Sequence, residues 1–438
     1  MSAASGKRDP PGEPLPDGAS IGVIGAGPAG SFFALHLLNF LSADGRTARI
    51  TLIDRKTFSS SGPSGCNMCA GAIGAAMVKK IAALSLPLEG KVIRRIADGY
   101  EIHGRDVAVT VRHPDRGEIY TVFRGGGPVA PRPDAKSFDQ FLLDAAVARG
   151  AEFIHDRVER IEKIPSGYRL AFTGGAVRDF DFLVGAFGVN STVSRMLRIG
   201  YAPPATWHTV QAEIPASDRF IVERLKNRIH IVPGRGKGIR FLAITPKDDF
   251  LTLTGIGEHV KIGDLENERK INSSLASLLP EDAKVVCHCH PQAPVGVAEH
   301  PFAERVAIIG DAFISRYLKN GIESSHDTAR ILANALAFHG ISVPALRERF
   351  HRPCLELFRY DNLWGRLLLG VYESVLRKGR LSDAYLRIVN REAAEGNMTQ
   401  ARILWSVFAG DTPYREIAGE AFAVSTLVDL VRFLPRRG

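Results

Sequence analysis

Three glycines, Gly25, Gly27 and Gly30, separate a short apolar strand at 21–24 from an apolar helix that begins near residue 31. The first glycine permits a tight turn, the second lets the backbone approach a pyrophosphate, and the third lets the helix pack against the strand. The amide groups at the start of the helix then favour a bound phosphate. This spacing between a strand and a helix predicts a dinucleotide site.

A second apolar strand at 48–53 ends in Asp54 and completes a βαβ unit. An acid at this position can accept hydrogen bonds from the adenosine ribose of a dinucleotide. We therefore expect the glycine turn and the end of the second strand to supply the residues that bind the cofactor. These are Gly25, Gly27, Pro28, Ala29, Gly30, Asp54 and Arg55.

The order of the predicted elements indicates an α/β fold with an inserted antiparallel sheet. Strands separated by turn residues follow one another from about 207 to 257, and a strand that ends in glycine returns at 305–310. The apolar periodicity is helical from 343 onward. We predict four regions: a disordered tail, 1–19; a discontinuous, Rossmann-like cofactor domain, 20–87, 132–200 and 300–342; a substrate domain, 88–131 and 201–299; and a helical C-terminal region, 343–438.

The composition is ordinary for a globular chain. Of the 438 residues 45% are hydrophobic and 24% are charged, and the net charge of +9 is scattered rather than clustered among aromatic residues. This scatter argues against a nucleic-acid partner. No apolar run reaches the roughly 18 residues of a membrane span, and the N-terminal segment lacks an apolar signal region. Five cysteines are too few for a disulfide scaffold, so we expect a cytoplasmic protein.

A glycine–aspartate pair, Gly310-Asp311, follows the last predicted strand, and Asn320-Gly321-Ile322 opens a long helix. Together with the N-terminal glycine turn, these residues resemble the flavoprotein superfamily with the para-hydroxybenzoate-hydroxylase-like fold. The resemblance covers about residues 20–340 and implies that the dinucleotide is FAD. It implies that Gly310 and Asp311 contact the ribityl chain and the pyrophosphate. It also implies that Asn320, Gly321 and Ile322 lie beside the isoalloxazine ring.

Phe187 departs from the pattern of that superfamily. It stands where an acid is usual in the middle motif, here at 185–191. In hydroxylases of the superfamily this acid helps to arrange the cofactor and the use of NAD(P)H. The departure leaves the electron donor open between NAD(P)H, ferredoxin and a quinol.

Ala135 is the second departure, because an arginine usually stands three residues before the Phe-Asp pair that here begins at Phe138. Arg124, Arg132 and Lys136 are the candidates to replace it. Arg124 opens a glycine-rich loop that could form a second anion site near FAD, although a simple glycine hairpin explains the loop equally well.

The segment 63–71 contains Cys66 and Cys69 and ends in Ala70-Gly71. It resembles the P-x-x-C-G-G motif of the geranylgeranyl reductase family, with Cys69 at the motif cysteine. In that family the segment lies beside the flavin and the lipid. The resemblance implies an FAD-dependent reductase of C=C bonds in a hydrophobic, polyprenyl-like substrate, with Cys69 and Cys66 as candidate catalytic residues.

Two other functions fit the same fold. One is a flavin-dependent monooxygenase or halogenase, against which the altered middle motif and the lack of a W-x-W-x-I-P signature argue. The other is a non-catalytic lipid-binding protein that keeps the flavoprotein fold. Fold alone does not separate these functions, because chemistry is decided at the site.

A second cysteine pair, Cys287 and Cys289, lies shortly before the glycine–aspartate strand. Together with Cys66 and Cys69 it could form a four-thiol site for zinc or for an iron–sulfur cluster. The first pair could instead be a redox dithiol that exchanges electrons with the flavin. All four could equally be small, buried, reduced cysteines.

The C-terminal helices carry apolar side chains at helical spacing, among them Leu363, Leu367 and Val371, next to basic residues such as Arg366. Such a stripe usually packs on the parent domain. A basic amphipathic face can also lie on a membrane surface, which would suit a lipid substrate. Both interpretations stay open, and the second predicts a peripheral membrane contact.

Overall fold

The computed structural model describes residues 14–62, 70–113, 117–128, 135–318, 320–426 and 428. The strands of this part of the chain are β1 (Ala19–Ile24), β2 (Ala48–Asp54), β3 (Ala72–Ile73), β4 (Arg95–Ala97), β5 (Tyr100–His103), β6 (Ala108–Val111), β7 (Ile119–Thr121), β8 (Glu152–His155), β9 (Val158–Ile164), β10 (Gly167–Phe172), β11 (Val177–Phe180), β12 (Phe182–Gly185), β13 (Thr206–Pro215), β14 (Ile229–Pro233), β15 (Phe241–Lys247), β16 (Phe250–Gly257), β17 (Cys287–Cys289), β18 (Gln292–Pro294), β19 (Phe302–Ala303) and β20 (Val306–Ile308).

Half of the twelve α-helices in the described part of the chain lie after residue 320. They are α1 (Pro28–Ala43), α2 (Ala75–Ala82), α3 (Phe138–Ala148), α4 (Asp218–Leu225), α5 (Ile262–Ile271), α6 (Ser273–Ala276), α7 (Gly321–Phe338), α8 (Val343–Leu346), α9 (Arg352–Arg377), α10 (Gly379–Ala394), α11 (Thr399–Ala409) and α12 (Tyr414–Ala421).

The first large sheet has the strand order β19–β20–β12–β1–β2–β8 and is parallel except for its edge strand β19. Its strands come from 19–54, 152–185 and 302–308, so segments far apart in the chain meet in one sheet. Helix α1 packs against α3 and α7, and their buried side chains share one core with the sheet. The carboxyl ends of the parallel strands therefore meet at one edge, where open α/β sheets bind their ligands.

The second large sheet has the order β17–β13–β16–β15–β14–β5–β6, with β18 also paired to β13. Its neighbours are antiparallel except for the parallel pair β14–β5. One core cluster joins this sheet to α4 and α5 through Ile221 and Leu265. Another joins β5, β6 and β14 to the C-terminal helices through Leu368, Trp405 and Tyr414. The C-terminal helices thus pack on the second sheet.

No helix in the described part of the chain is both long enough and apolar enough to cross a bilayer.

The first residues of the described chain differ from the predicted disordered tail. Leu15 is only 1% exposed, and its amide donates to the Leu336 carbonyl oxygen at 3.0 Å. Within the segment that the sequence predicts as a tail, one apolar side chain among prolines therefore anchors the chain against α7. The small sheet β3–β7–β4 also joins the predicted cofactor segment 20–87 to the predicted substrate segment 88–131.

A buried histidine pair joins α1 to α7. His36 Nε2 lies 3.1 Å from His326 Nε2, and His326 Nδ1 lies 2.9 Å from a carboxylate oxygen of Asp327. Lys80 in turn forms an ion pair with Asp327 at 2.8 Å. Burial is the main cause that lowers the pKa of His36 to about 3, so this imidazole stays neutral in the folded chain at neutral pH.

The His36 pair predicts a fall in stability on acidification. Between pH 6.5 and about 3 the unfolded chain binds a proton at His36 that the folded chain does not bind. The free energy of unfolding should therefore decrease as the pH is lowered, by up to about 1.4 kcal/mol per pH unit from this group. A His36→Gln variant, which keeps a hydrogen-bonding side chain without this titration, should show a shallower slope in urea unfolding between pH 5 and 7. The exposed His155→Gln is the control, and equal slopes in wild type and His36→Gln contradict the prediction.

Candidate functional site

A cleft of about 570 Å³ opens at the carboxyl ends of the parallel strands β1, β2 and β12. Most of the predicted cofactor residues line it: Gly25, Gly27, Pro28, Ala29, Asp54, Arg55, Arg124, Asp311, Gly321 and Ile322. The predicted residues Gly30, Gly310 and Asn320 lie next to the cleft in sequence but do not line it. The structure thus brings together side chains from three separate parts of the chain.

The glycine turn is closed by very short approaches between backbone groups. Gly25 has a φ of +108°, and a Cβ there would lie 2.3 Å from the Ala186 carbonyl oxygen. A Cβ on Gly30 would lie 1.9 Å from the carbonyl oxygen of Gly25, so Gly30 serves helix packing rather than the cleft. A Cβ on Gly27 would lie 3.7 Å from both Arg124 and Asp139, and helix α1 begins at the next residue, Pro28. The first turn of α1 therefore meets the cleft, where its amides and dipole favour an anion.

Asp54 joins the glycine turn to the end of β2. Its carboxylate accepts hydrogen bonds from the amides of Ala26 and Lys56, each at 3.0 Å. Burial raises the pKa of Asp54 above its ordinary value. A carboxylate has about four lone-pair sites, so Asp54 can hold the turn and still accept hydrogen bonds from ligand hydroxyls in the cleft.

Asp311, the acid of the Gly310-Asp311 pair, provides a buried hydrogen-bond acceptor in the wall of the cleft. Its Oδ1 atom is buried and has no hydrogen-bond partner among the described residues. Burial raises the pKa of this carboxyl group. A Cβ added to Gly321 would lie 3.2 Å from Oδ1, so glycine at the start of α7 leaves the carboxylate in place. A buried acceptor without a partner, facing a cleft, fits a ligand that brings hydroxyl donors.

Arg124 is held at the glycine turn by a carboxylate that sequence reasoning did not single out. Its Nε and terminal nitrogen donate to the two oxygens of Asp139 at 2.9 and 2.8 Å. Asp139 is completely buried at the start of α3, and Arg124 lies 3.7 Å from the position of a Cβ on Gly27. Of the two described basic candidates to replace the arginine missing at Ala135, Arg124 and Lys136, Arg124 is therefore the one placed at the turn; Arg132 lies outside the described residues. The Phe-Asp pair that begins at Phe138 was the signal in the sequence for Asp139, the partner of Arg124.

Removing the Asp139 carboxylate should destabilise the fold. We expect Asp139→Ala to lower the free energy of unfolding by about 3 kcal/mol, because breaking a buried ion pair costs this much or more. The matched control is Asp179→Ala. Its carboxylate makes the same two-bond contact with Arg169, at 2.7 Å each, but both side chains are about half exposed. Equal loss of stability in the two variants, measured by chemical denaturation, contradicts this account of Asp139.

An apolar wall occupies the place of the middle motif. Phe187 lines the cleft, and its ring contacts Tyr201 edge-on with 6.2 Å between the ring centres. The Tyr201 hydroxyl donates to the Ala312 carbonyl oxygen at 2.6 Å, and burial raises the pKa of Tyr201 to about 12. The departure at Phe187 thus replaces a charge by packed aromatic rings.

Further cleft residues were missed by sequence reasoning. Asp156 and Arg157 follow β8, and Asn190 accepts a hydrogen bond from the Gln292 amide at 3.0 Å. The position of Asp156 directly after a parallel strand was a usable signal. The contact between Asn190 and Gln292 depends on two loops about a hundred residues apart and left no such signal.

The cysteine predictions divide in two. Cys66 and Cys69 lie outside the described residues, so the catalytic and four-thiol predictions that need them stay predictions. Cys287 and Cys289 lie on β17 at the edge of the second sheet, and Cys289 Sγ lies 3.9 Å from the Gln211 side-chain oxygen. Within the described ranges no third acid, histidine or cysteine joins this pair in a group that could hold a metal ion.

The chain is similar in sequence and in structure to several known proteins. No protein-family model matches the chain. The chain is 23% identical to a kynurenine 3-monooxygenase of Emericella nidulans over 301 residues, which are 60% of this chain and 56% of that enzyme. This chain therefore matches just over half the length of that enzyme.

The similarity to solved structures extends over almost the whole length of the chain. A flavoprotein/dehydrogenase from Cytophaga hutchinsonii superposes with a TM-score of 0.66 at 14% identity, covering 94% of this chain and 99% of the other. The flavin-dependent halogenase CmlS gives a TM-score of 0.60 at 18% identity, covering 94% and 78%. The predicted α/β fold with a helical C-terminal region is confirmed, and it is the fold of flavin-dependent oxidoreductases.

These similarities support some of the predictions made from the sequence and not others. The flavoprotein relatives support FAD as the cofactor, and they give no support to zinc or an iron–sulfur cluster. The monooxygenases and halogenases among them favour the alternative function over C=C reduction. They do not single out the geranylgeranyl reductase family.

Proposed function

We propose that the chain is an FAD-dependent oxidoreductase that inserts oxygen or halogen into a hydrophobic small molecule, as a monooxygenase or halogenase. The observation that carries the proposal is the buried Oδ1 atom of Asp311, a residue of the cleft wall, which has no hydrogen-bond partner among the described residues. The likeness to kynurenine 3-monooxygenases and to flavin-dependent halogenases supports the same class.

The residues of the cleft fit FAD by their chemistry. The first turn of α1 and Arg124 would hold the pyrophosphate, and Asp54 would accept from the adenosine ribose. Asp311 would accept from ribityl hydroxyls, and the backbone at Gly321 and Ile322 would lie beside the flavin ring. When bound, FAD supplies two-electron transfer and the activation of oxygen.

The protein's own side chains would set the conditions for that chemistry. Asp139 holds Arg124 at one end of the cleft, so the guanidinium needs no reorganisation when an anion arrives. Phe187 and Tyr201 keep water from the wall that a charged residue would hydrate. With no carboxylate at 187, we propose that electrons come from a ferredoxin or a quinol as well as, or instead of, NAD(P)H.

Reduction of a C=C bond is the second candidate. It is supported by the segment 63–71, whose end is described: Gly71 has a φ of +74°, and a Cβ there would lie 2.0 Å from the Val122 carbonyl oxygen. The described end of this segment therefore lies against Val122, directly after β7 of the small sheet. A hydrophobic, polyprenyl-like substrate belongs to this candidate.

Oxygen dependence separates the candidates. Hydroxylation consumes O2, two electrons and two protons and yields the hydroxylated product and water. C=C reduction consumes two electrons and two protons and needs no oxygen. The purified chain should show flavin absorption. After anaerobic reduction with dithionite and removal of the excess, it should modify an aromatic probe, L-kynurenine or a phenol with bromide present, only when oxygen is added.

The controls make each outcome decisive. Asp311→Ala should bind FAD at least about tenfold more weakly, since hydrogen bonds to a charged group contribute about 1.5–3 kcal/mol each. Anaerobic saturation of geranylgeraniol by the reduced wild type would favour the reductase instead. Chain purified without flavin, and unable to take it up, would support the non-catalytic alternative.

We propose in addition that α9 contacts an anionic lipid surface. Its outer face carries six exposed large apolar side chains at spacings of three and four residues: Leu357, Tyr360, Leu363, Trp364, Leu367 and Val371. The exposed basic residues Arg359, Lys378 and Arg380 lie beside this face or just after it. Apolar and aromatic side chains flanked by basic ones are typical of helices that lie in a membrane interface.

Vesicle binding tests the α9 contact. Wild type should co-sediment with phosphatidylglycerol-containing vesicles, and Leu363→Glu/Leu367→Glu should reduce the bound fraction about tenfold or more. Val222→Glu, which places a charge on a similarly exposed valine of α4, is the matched control. Unchanged binding of the double variant contradicts the proposal. So does a wild-type dimer that the double variant converts to monomer, because the face would then bind a second copy.

A further inference from the structure

Three side chains with metal-binding atoms meet at the far edge of the second sheet. Glu101 and His103 lie on one face of β5, and His230 lies on β14, directly opposite Glu101 in the parallel pairing. One ligand atom from each of the three lies within 4.8 Å of the others. None of these residues lines the cleft, so the cluster is independent of the proposed function.

The hydrogen bonds of His230 fix which of its nitrogens would face a metal ion. His230 Nε2 lies 3.0 Å from the Leu225 carbonyl oxygen, which can only accept, so Nε2 carries the proton and Nδ1 of a neutral ring keeps its lone pair. His103 Nε2 donates to that Nδ1 at 2.9 Å, so a metal ion would take the place of this proton and would require the Nδ1–H tautomer of His103. Metal-binding histidines typically donate their second ring nitrogen to a backbone carbonyl in this way.

The distance between the two nitrogens is close to what a metal ion requires. Two nitrogens bound to zinc at about 2.0–2.1 Å in tetrahedral geometry lie roughly 3.4 Å apart. The observed 2.9 Å needs to open by only about half an ångström, which small side-chain rotations supply. Glu101 would add a carboxylate oxygen as the third ligand.

Neighbouring charges permit a cation here. Arg228 donates to Glu101 Oε2 at 2.9 Å, to Thr110 Oγ1 at 3.0 Å and to Asp98 Oδ1 at 3.2 Å. The single guanidinium is thus shared between two carboxylates. Asp98 also accepts a hydrogen bond from Arg112 at 3.1 Å, so with neutral imidazoles the two carboxylates are balanced by two guanidiniums. A divalent ion would therefore be held by the Glu101 carboxylate and the imidazole nitrogens rather than by a net negative charge.

We propose that Glu101, His103 and His230 bind a zinc-like divalent ion with two imidazole nitrogens and one carboxylate, and that this ion clamps β5 to β14. Imidazole and carboxylate ligands suit zinc and its borderline neighbours. The clamp would join two chain segments, 88–113 and 201–299, that meet through the parallel pairing of β14 with β5. The ion would act on the stability of the second sheet and not on electron transfer.

Cobalt(II) titration of the full-length, flavin-containing chain tests the site. Wild type should bind one equivalent at this site with the visible bands of a nitrogen- and oxygen-ligated ion and without sulfur-to-cobalt charge-transfer absorption. One equivalent of zinc should displace it and raise the midpoint of thermal unfolding. His103→Gln should abolish this equivalent, and Glu101→Gln should weaken it at least tenfold.

Matched variants separate the site from the cysteines and from other histidines. Cys287→Ser/Cys289→Ser and His288→Gln/His290→Gln should bind cobalt as wild type does; the latter removes another close histidine pair, whose rings lie 5.5 Å apart. If His103→Gln fails to fold by circular dichroism, Glu101→Gln decides. The proposal is overturned if the wild type binds no cobalt ion through nitrogen. It is also overturned if His103→Gln still binds that ion, or if the cysteine variant no longer does. Flavin content reports on the proposed function separately.

Discussion

The close approach of the Gly25 and Gly30 backbones is the contact on which the cleft depends. Because Gly30 has no Cβ, α1 reaches the turn at a distance that any other residue would forbid. This approach directs the N-terminus of α1 to the carboxyl edge of the parallel sheet. It also brings α1 against α7, whose own start carries Gly321 beside Asp311. One steric constraint therefore places the N-terminal and C-terminal parts of the site side by side.

The three buried carboxylates at the cleft differ in how fully the chain itself supplies their hydrogen bonds. Asp139 is fully paired with Arg124, Asp54 is engaged by two backbone amides, and one oxygen of Asp311 has no partner among the described residues. Hydrogen bonds within the chain offset part of the desolvation of the first two carboxylates. The buried Oδ1 atom of Asp311 has no such bond among the described residues, so a ligand with hydroxyl donors would stabilise the fold there. Ligand binding and folding are coupled at this position.

Local sequence signals predicted the parts of the fold that depend on neighbours in the chain. The strand β1, the glycine turn, helix α1 and the strand β2 that ends in Asp54 follow in the predicted order.

Contacts between distant segments were not visible in the sequence. Leu15 is buried against α7 although its surroundings are rich in proline, and Asp139 meets Arg124 only after α3 has docked. The cluster of Glu101, His103 and His230 needs the parallel pairing of strands about 130 residues apart. Periodicity describes one element at a time, whereas these sites exist only once two elements have been placed together.

The apolar wall at Phe187 connects the fold to the choice of chemistry. In a cleft whose cofactor supplies the reactive atoms, the protein selects the reaction by what it admits and what it excludes. A carboxylate at 187 would bring water and a negative charge into the cleft. The packed pair of Phe187 and Tyr201 brings neither, so this part of the wall is apolar. The residue that departs most clearly from the superfamily pattern thus supports the hydrophobic substrate that we propose.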